Sequence, residues 1–509
     1  MNTAALRTLM IYAVILPLAL FIGWMTVDLA NWDRTSFMVI AGSLFFLTLP
    51  LLLKWHYTVM VLSWNSAITI FFLPGKPELW VLMVGFNFGF ALLYRIIQKR
   101  PMFLSAPTIT MSLLALLTVT LITAKLRGGF GLQVLGSSTY GGKSYFYLIA
   151  GILGYFAMAS MPIPPARANA FVAMFFLPGL NAALSTLIYF AGPSFYFLYL
   201  VFPVSFAGVQ AMTEYSGTAI VRVVGFAVAA CSFSAYLMTV YGVRGIIRKW
   251  WLGLLLIVVL SLGTLGGYRS LVLVVGFMFI ILFVMVGLLR SPIFPALILI
   301  GGLIFVGLIS FAEKLPLSAQ RTLAAFPIKV DPVVRADAES SLQWRLQMWQ
   351  LLLPDLPKYI WLGKGYALNP TDLYLAEQAA QRNRAKNYQT ALMSGGYHSG
   401  PLSTYVPLGG FGTLAFIAFL GASLRALYLN YRYGDEALRT INRGLFAYFL
   451  GSLLFFIFAF GALSAELFKF TGAVGLSIAL NHGVCRKPVT VSRPVRIRGS
   501  LDLSPAPAS

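Results

Sequence analysis

Apolar stretches, each long enough to cross a bilayer, follow one another down almost the whole chain, separated by short polar or charged links. As helices rising about 1.5 Å per residue, such stretches span a hydrocarbon core of about 30 Å. The pattern predicts membrane helices at 9–30, 36–53, 57–73, 79–97, 107–124, 144–160, 170–191, 218–242, 250–266, 270–289, 292–311, 401–424, 444–463 and 467–483. Short alternating segments of the β-barrel kind do not occur. The expected fold class is therefore an all-α polytopic integral membrane protein of about 12–14 helices.

Composition agrees, since only 10% of the 509 residues are charged and 59% are hydrophobic. Soluble domains carry about 25% charged residues, and this chain could not cover its surface in water. The formal net charge of +22 would point to nucleic acid in a soluble protein, but topology accounts for it here and no nucleic-acid partner is expected. With the N-terminus inside, the inner links collect Arg7, Lys54, Arg95, Arg167, Arg244, Arg248, Arg290, Arg425, Arg432 and the basic tail, whereas the short outer links hold Arg34, Lys76, Lys125, Arg127, Lys143 and Arg269. This phase holds from end to end if the proline-containing stretch 192–212 is re-entrant or interfacial. Arg7 precedes an apolar run without a small-residue cleavage site, so the first helix is expected to be retained. Cys231 and Cys485 offer neither a disulfide framework nor a thiolate metal cluster.

The alternation places 312–400 outside, as the one long hydrophilic segment between spans. It has the signals of order: Ser340 or Ser341 can cap a helix that carries Leu342, Leu346, Trp349 and Leu353 on one face and ends at Pro354. A second helix is expected from Thr371 to about Arg384, with a turn at Gly363-Lys364-Gly365-Tyr366 between them. Beyond residue 485 the tail, with Arg486, Lys487, Arg493, Arg496 and Arg498 among Pro and Ser, reads as disordered against anionic lipid. Neither a constant-period repeat nor an inverted repeat is visible.

Carboxylates are scarce, with none between Glu78 and Glu214, so neither a proton-coupled relay nor a cation site is apparent. Arginine is what the outer side offers. Arg222 lies about a turn into the span 218–242, Arg269 follows Gly266-Gly267-Tyr268, and Arg345 lies on the loop helix. An arginine at such a depth is costly unless paired, and its planar fork of donors suits a diphosphate, although each alone can also snorkel to water. Of the three histidines, His56 and His482 fall beside basic residues at inner ends and read as interfacial. His398 instead closes the outer loop, between Ser394-Gly395-Gly396-Tyr397 and Ser399-Gly400-Pro401, where free N–H groups of the next helix favour an anion. Gly409 and Gly412, farther along that helix, read as a close helix-packing motif.

His398-Ser399 followed by Gly409 and Gly412 resembles the His-[Asn/Ser/Gln]-x9-Gly-x-x-Gly pattern of the O-antigen ligase and O-antigen polymerase superfamily of bacterial envelope proteins. Arg345-x3-Trp349, Pro354-Asp355-Leu356-Pro357 and Leu362-Gly363-Lys364-Gly365 are similar to that family's loop signature. Arg269-Ser270 resembles its Ser-Arg-small motif, with Tyr268 where Ser is commoner. The likeness covers about 250–425 and divides the chain into N-terminal membrane helices (1–249), a ligase-like catalytic region (250–425) with a periplasmic loop at 312–400, C-terminal helices (426–485) and a basic cytoplasmic tail (486–509).

The resemblance implies glycan transfer from an undecaprenyl-diphosphate carrier at the periplasmic face of the bacterial inner membrane. Arg269 and Arg345, with Arg222, would hold the diphosphate, and His398 would orient or deprotonate the acceptor hydroxyl. Tyr366 could stack on a sugar, whereas Trp349 reads better as core. Displacement at the anomeric carbon would invert configuration and require no metal or other cofactor. The acceptor stays open between lipid A-core, another carrier-linked glycan and a protein hydroxyl, as does the participation of a chain-length regulator. The alternative is a flippase for lipid-linked oligosaccharide or another polysaccharide transporter, for which the arginines would line a path but the ordered outer loop would have no role.

Overall fold

A computed structural model describes residues 54–71, 73, 75–98, 106–131, 141–203, 222–324, 326–369, 371, 374 and 395–487. The expected spans at 9–30 and 36–53, most of the second loop helix at 371–384 and the tail beyond 487 lie outside the described residues. The helices are α1 (Leu79–Gln98), α2 (Pro107–Arg127), α3 (Gly142–Met158), α4 (Ala168–Phe176), α5 (Ala182–Ala191), α6 (Val224–Val240), α7 (Gly242–Arg248) and α8 (Trp250–Thr264). They continue as α9 (Arg269–Met285), α10 (Ile293–Phe311), α11 (Leu317–Leu323), α12 (Pro332–Leu352), α13 (Gly400–Tyr433), α14 (Arg439–Phe458) and α15 (Leu463–Leu480).

This is a multi-pass membrane protein. Among the described residues, seven helical stretches have the length and apolarity to cross a bilayer, or eight if α6 and α7, bent by 94°, count as one. The α10 stretch makes the solvent plain. Its mean hydropathy is 2.5 and none of it is buried within the protein, so Leu299, Leu303 and Val306 stand exposed. A helix apolar on all sides and uncovered by protein is stable only in lipid.

At the other extreme α15, 72% buried, packs along α3 in the centre. Trp64 is wedged beside these two helices, fully buried, with Nε1 donating to Phe468 O at 3.1 Å. Around this core α2 lies against α13, α9 against α14, and α6 against α8.

Two expectations change, at 57–73 and at His56. The helix expected over 57–73 is helical only to residue 63. Past it the chain unwinds because polar side chains offer its backbone other partners: Asn65 Nδ2 donates to Phe175 O at 2.6 Å and Asn181 Oδ1 accepts from Ala67 N at 2.8 Å. The first part of 192–212 is a 3₁₀ helix, Pro193–Leu200, with Phe195 and Phe197 exposed, and Val201 O accepts from Thr69 N at 2.8 Å. His56 is buried rather than interfacial, its Nδ1 against Asn87 Oδ1 and its ring 5.4 Å from Phe90.

The loop helix also differs. It begins at Pro332, nine residues before Ser341, because Asp331 caps it by accepting from Val333 N at 2.8 Å. Among its described side chains Val334, Ala338, Met348 and Leu352 are buried, while Leu342, Leu346 and the adjoining Leu353 are exposed and Trp349 keeps 36% of its surface. The shared apolar stripe thus faces outward, and Trp349 is not core, because the helix turns its Arg345 face toward the membrane helices.

Candidate active site

A cavity of about 1450 Å³ opens among α6, α9, α12, α14 and α15, and Arg222, Arg269, Arg345 and His398 all line it. So do Lys76, Lys143 and Arg321, whereas the inner-link cations Lys54, Arg95, Arg167, Arg244, Arg248 and Arg290 do not. Of the described outer-link cations, Lys125 and Arg127 also lie off the cavity.

The arginine cluster is built around the α8–α9 turn. Gly267 takes φ +69°, and a Cβ there would come within 3.2 Å of the Arg222 side chain. This turn is open to glycine because it alone both adopts that backbone and leaves room for the guanidinium stem. Arg222 precedes α6 rather than lying within it. Its Nη2 is 3.5 Å from Asp337 Oδ1, and its buried Nε has no hydrogen-bond partner among the described residues. Arg321, on α11, donates to Asp337 Oδ2 and to Gly267 O, both at 2.5 Å. Arg269 Nη2 donates to Ala338 O at 3.3 Å, and Arg345 Nη1 to Ala459 O at 3.1 Å.

Asp337 thus pairs with Arg222 and Arg321 and attracts Arg269, while Arg345 feels the charge of Arg321. Burial, and then repulsion by Arg321, pushes Arg345 down from its ordinary value. Such a cluster is stabilised by an anion that accepts several donors at once, as a diphosphate does.

His398 is held from both sides. Tyr397 is fully buried against Met348, Leu352 and Val406, and Ser399 is the residue from which α13 starts. Between them His398 adopts φ +50°, a conformation few non-glycine residues take and one that is found at active sites. Its ring meets Phe460 edge-on at 5.0 Å. Burial, and then the charge of Arg345, lowers its pKa from the ordinary 6.5. The imidazole is therefore neutral at pH 7 and able to accept a proton.

The two glycines after His398 act on a different neighbour from the one their spacing suggests. Gly409 interrupts α13 with φ 71° and ψ −170°, and against the break lies the backbone of the 361–363 loop rather than another helix. Gly410 N donates to Ile360 O at 3.0 Å, while Lys364 N and Gly365 N donate to Val406 O and Pro407 O at 2.9 and 3.0 Å. Gly412 faces Leu408 of its own helix, where an added Cβ would come within 2.4 Å of the Leu408 Cβ. Tyr366 is not brought to the cavity. It packs edge-on against Tyr145 at 5.1 Å, and its backbone N–H is held by the Tyr145 hydroxyl at 3.1 Å.

Residues 252–417 match the O-antigen ligase family. The matched stretch runs from α8 to beyond the Gly409 break in α13 and contains Arg269, Arg321, Arg345 and His398, while Arg222 precedes it. No curated protein matches the chain. The O-antigen ligase match supports a glycosyltransferase of the ligase or polymerase type, with a lipid-linked glycan as donor and a glycan or lipid as acceptor in general terms.

Sequence reading missed Arg321, Asp337 and the 459–461 link that floors the site. Arg321 lies in the short helix Leu317–Leu323 with no motif around it.

Proposed function

We propose that the chain is an inner-membrane enzyme that moves a glycan from undecaprenyl diphosphate to an acceptor hydroxyl on the periplasmic side, with inversion at the anomeric carbon. The observation that carries this reading is the convergence of Arg222, Arg269, Arg345 and His398, from four separate stretches of sequence, on one cavity.

The chemistry follows from that arrangement. His398 takes the proton of the acceptor hydroxyl as its oxygen bonds to the sugar C1. The bond from C1 to the carrier diphosphate breaks, and its electron pair leaves on the phosphate oxygen. Arginines fixed in advance by Asp337, Ala338 O and Ala459 O stabilise the charge that grows there, and they do so more strongly than water would because they need not reorient. No metal ion is needed, since the guanidinium groups carry the compensating charge. Repulsion by Arg345 then favours release of the proton from the imidazolium, restoring the base. Membrane lipids hold the carrier tail at the level of the site.

The test is expression of wild type and His398→Ala in a strain lacking its own ligase and polymerase, with lipopolysaccharide and carrier-linked glycans resolved on gels. Glycan on lipid A-core from wild type alone identifies a ligase, and longer carrier-linked chains identify a polymerase. Equal patterns from both proteins, each verified in the membrane, would favour a flippase for lipid-linked oligosaccharide.

A further inference from the structure

The arginines and His398 account for only part of the cavity. Its volume of about 1450 Å³ exceeds the roughly 300–1,000 Å³ of a small-molecule pocket. The same space is lined by Trp64, Tyr147 and Phe468 and by Glu78, Lys143, Glu466 and Lys469. These charges form a group of their own: Glu78 interacts with Lys143 and Lys469, whereas His398 interacts with Arg345 and Arg345 with Arg321.

The second group is costly to keep where it stands. Glu466 and Lys469 lie one turn apart on α15, the most buried of the crossing helices, and pair at 2.7 Å. Two apolar residues there would be at least as stable, since desolvating an ion pair offsets its attraction. Around this pair the α15 residues Leu467, Phe470 and Thr471 are buried, yet Lys469 keeps 36% of its side-chain surface and Glu466 16%, facing the cavity. Glu78 is held in place as well, since Trp80 Nε1 donates to its Oε2 at 2.6 Å. Trp80 in turn stacks on Phe468 at 5.0 Å and meets Tyr147 edge-on at 5.8 Å, and Lys143 Nζ lies 5.7 Å over the Tyr147 ring. Fixed carboxylates and ammonium groups beside rigid aromatic faces suit one ligand chemistry. Sugar hydroxyls donate to carboxylates and accept from ammonium groups, and a pyranose C–H face lies flat on an aromatic ring.

We propose that this part of the cavity is the acceptor subsite, binding a sugar of the acceptor glycan through Glu78, Glu466 and Lys469 against the Tyr147–Phe468 wall. The inference rests on the glycosyl-transfer reading and narrows it, selecting a carbohydrate acceptor over a protein hydroxyl. The acceptor enters beside the donor, so that its hydroxyl reaches His398 while the diphosphate is held by the arginines.

The test uses the full chain in lipid nanodiscs with two probes, an array of bacterial surface oligosaccharides and undecaprenyl diphosphate alone. Wild type is expected to capture at least one oligosaccharide. Glu466→Gln and Lys469→Met should each weaken capture by about tenfold, the scale of a lost charge-assisted hydrogen bond, and leave undecaprenyl diphosphate affinity within about twofold. The exchange Glu466→Lys with Lys469→Glu keeps the ion pair but trades acceptor for donor. A merely structural pair would be rescued by it, and an acceptor subsite would not. Absence of capture by wild type, unchanged capture in the single variants, or rescue by the exchange would each overturn the proposal. Failure of the underlying reading shows separately, as undecaprenyl diphosphate that does not bind or whose binding Arg269→Ala leaves intact.

Discussion

Replacing Gly409 by alanine should disable the protein through its backbone rather than its chemistry. At φ 71° and ψ −170° the residue sits in a region open essentially to glycine, and forcing a side chain there costs about 1–3 kcal/mol. The new Cβ would also lie 2.6 Å from Gly363 N and Trp361 O. Backbone cannot swing aside as a side chain can, so the 360–365 loop must lift from α13. That puts at risk the bonds Gly410 N–Ile360 O, Lys364 N–Val406 O and Gly365 N–Pro407 O, each worth about 0.5–1.5 kcal/mol. With partial relaxation the loss is about 3–6 kcal/mol. Gly421, on the same helix with nothing within 4 Å of its added Cβ, is the control. The assay is the fraction of detergent-solubilised protein that stays monodisperse after heating, read beside glycan transfer. Gly409→Ala should lose both, and Gly421→Ala neither. Wild-type heat resistance in Gly409→Ala would refute the reasoning, because the break in α13 would then not depend on glycine.

Two further outcomes follow from the charges. Because burial and Arg345 both lower the pKa of His398 from 6.5, the neutral base persists across neutral pH, and kcat/KM should fall only as pH drops below that value. Arg345→Gln removes one of the two lowering influences, so besides slowing the reaction it should move the acid limb to higher pH. A limb that stays put or moves down would contradict the assignment of His398 as base. Asp337→Asn removes the carboxylate that pairs with Arg222 and Arg321, and should destabilise the protein by about 2–4 kcal/mol, below the full cost of breaking a buried pair because the groups keep some exposure. Undecaprenyl diphosphate should restore more heat resistance to this variant than to wild type, and equal gains would count against the cluster as its site.

Much of this was legible in the sequence because lipid imposes simple rules. Runs such as 79–97, 107–124 and 292–311 are apolar over a bilayer's width, and the corresponding helices Leu79–Gln98, Pro107–Arg127 and Ile293–Phe311 follow. Arg222, Arg269, Arg345 and His398 could be singled out because a charged or titratable group at such depth needs a reason. What stayed hidden depends on contacts between distant segments. The end of the 54–63 helix is set by Asn65 and Asn181, more than a hundred residues apart, and the Gly409 break by a loop that has to fold back onto it. The start of α12 was legible after all, since Asp331-Pro332 is a cap followed by the residue favoured in a first turn, but the apolar spacing from Leu342 onward drew attention past it. Arg321 could not be found from sequence, because its role comes from Gly267 and Asp337, which only the fold brings beside it.

The central claim is that His398 removes a proton while the arginines hold a diphosphate, and one measurement addresses both halves. Wild type and His398→Ala, reconstituted in nanodiscs, are given undecaprenyl-diphosphate-linked glycan and an acceptor, and release of free undecaprenyl diphosphate is followed with donor affinity measured alongside. The account predicts release from wild type, a rate lower by about 10²–10⁴ in His398→Ala, and donor affinity unchanged within about twofold. Equal release from both proteins, or donor that crosses a bilayer intact without being cleaved, would contradict it.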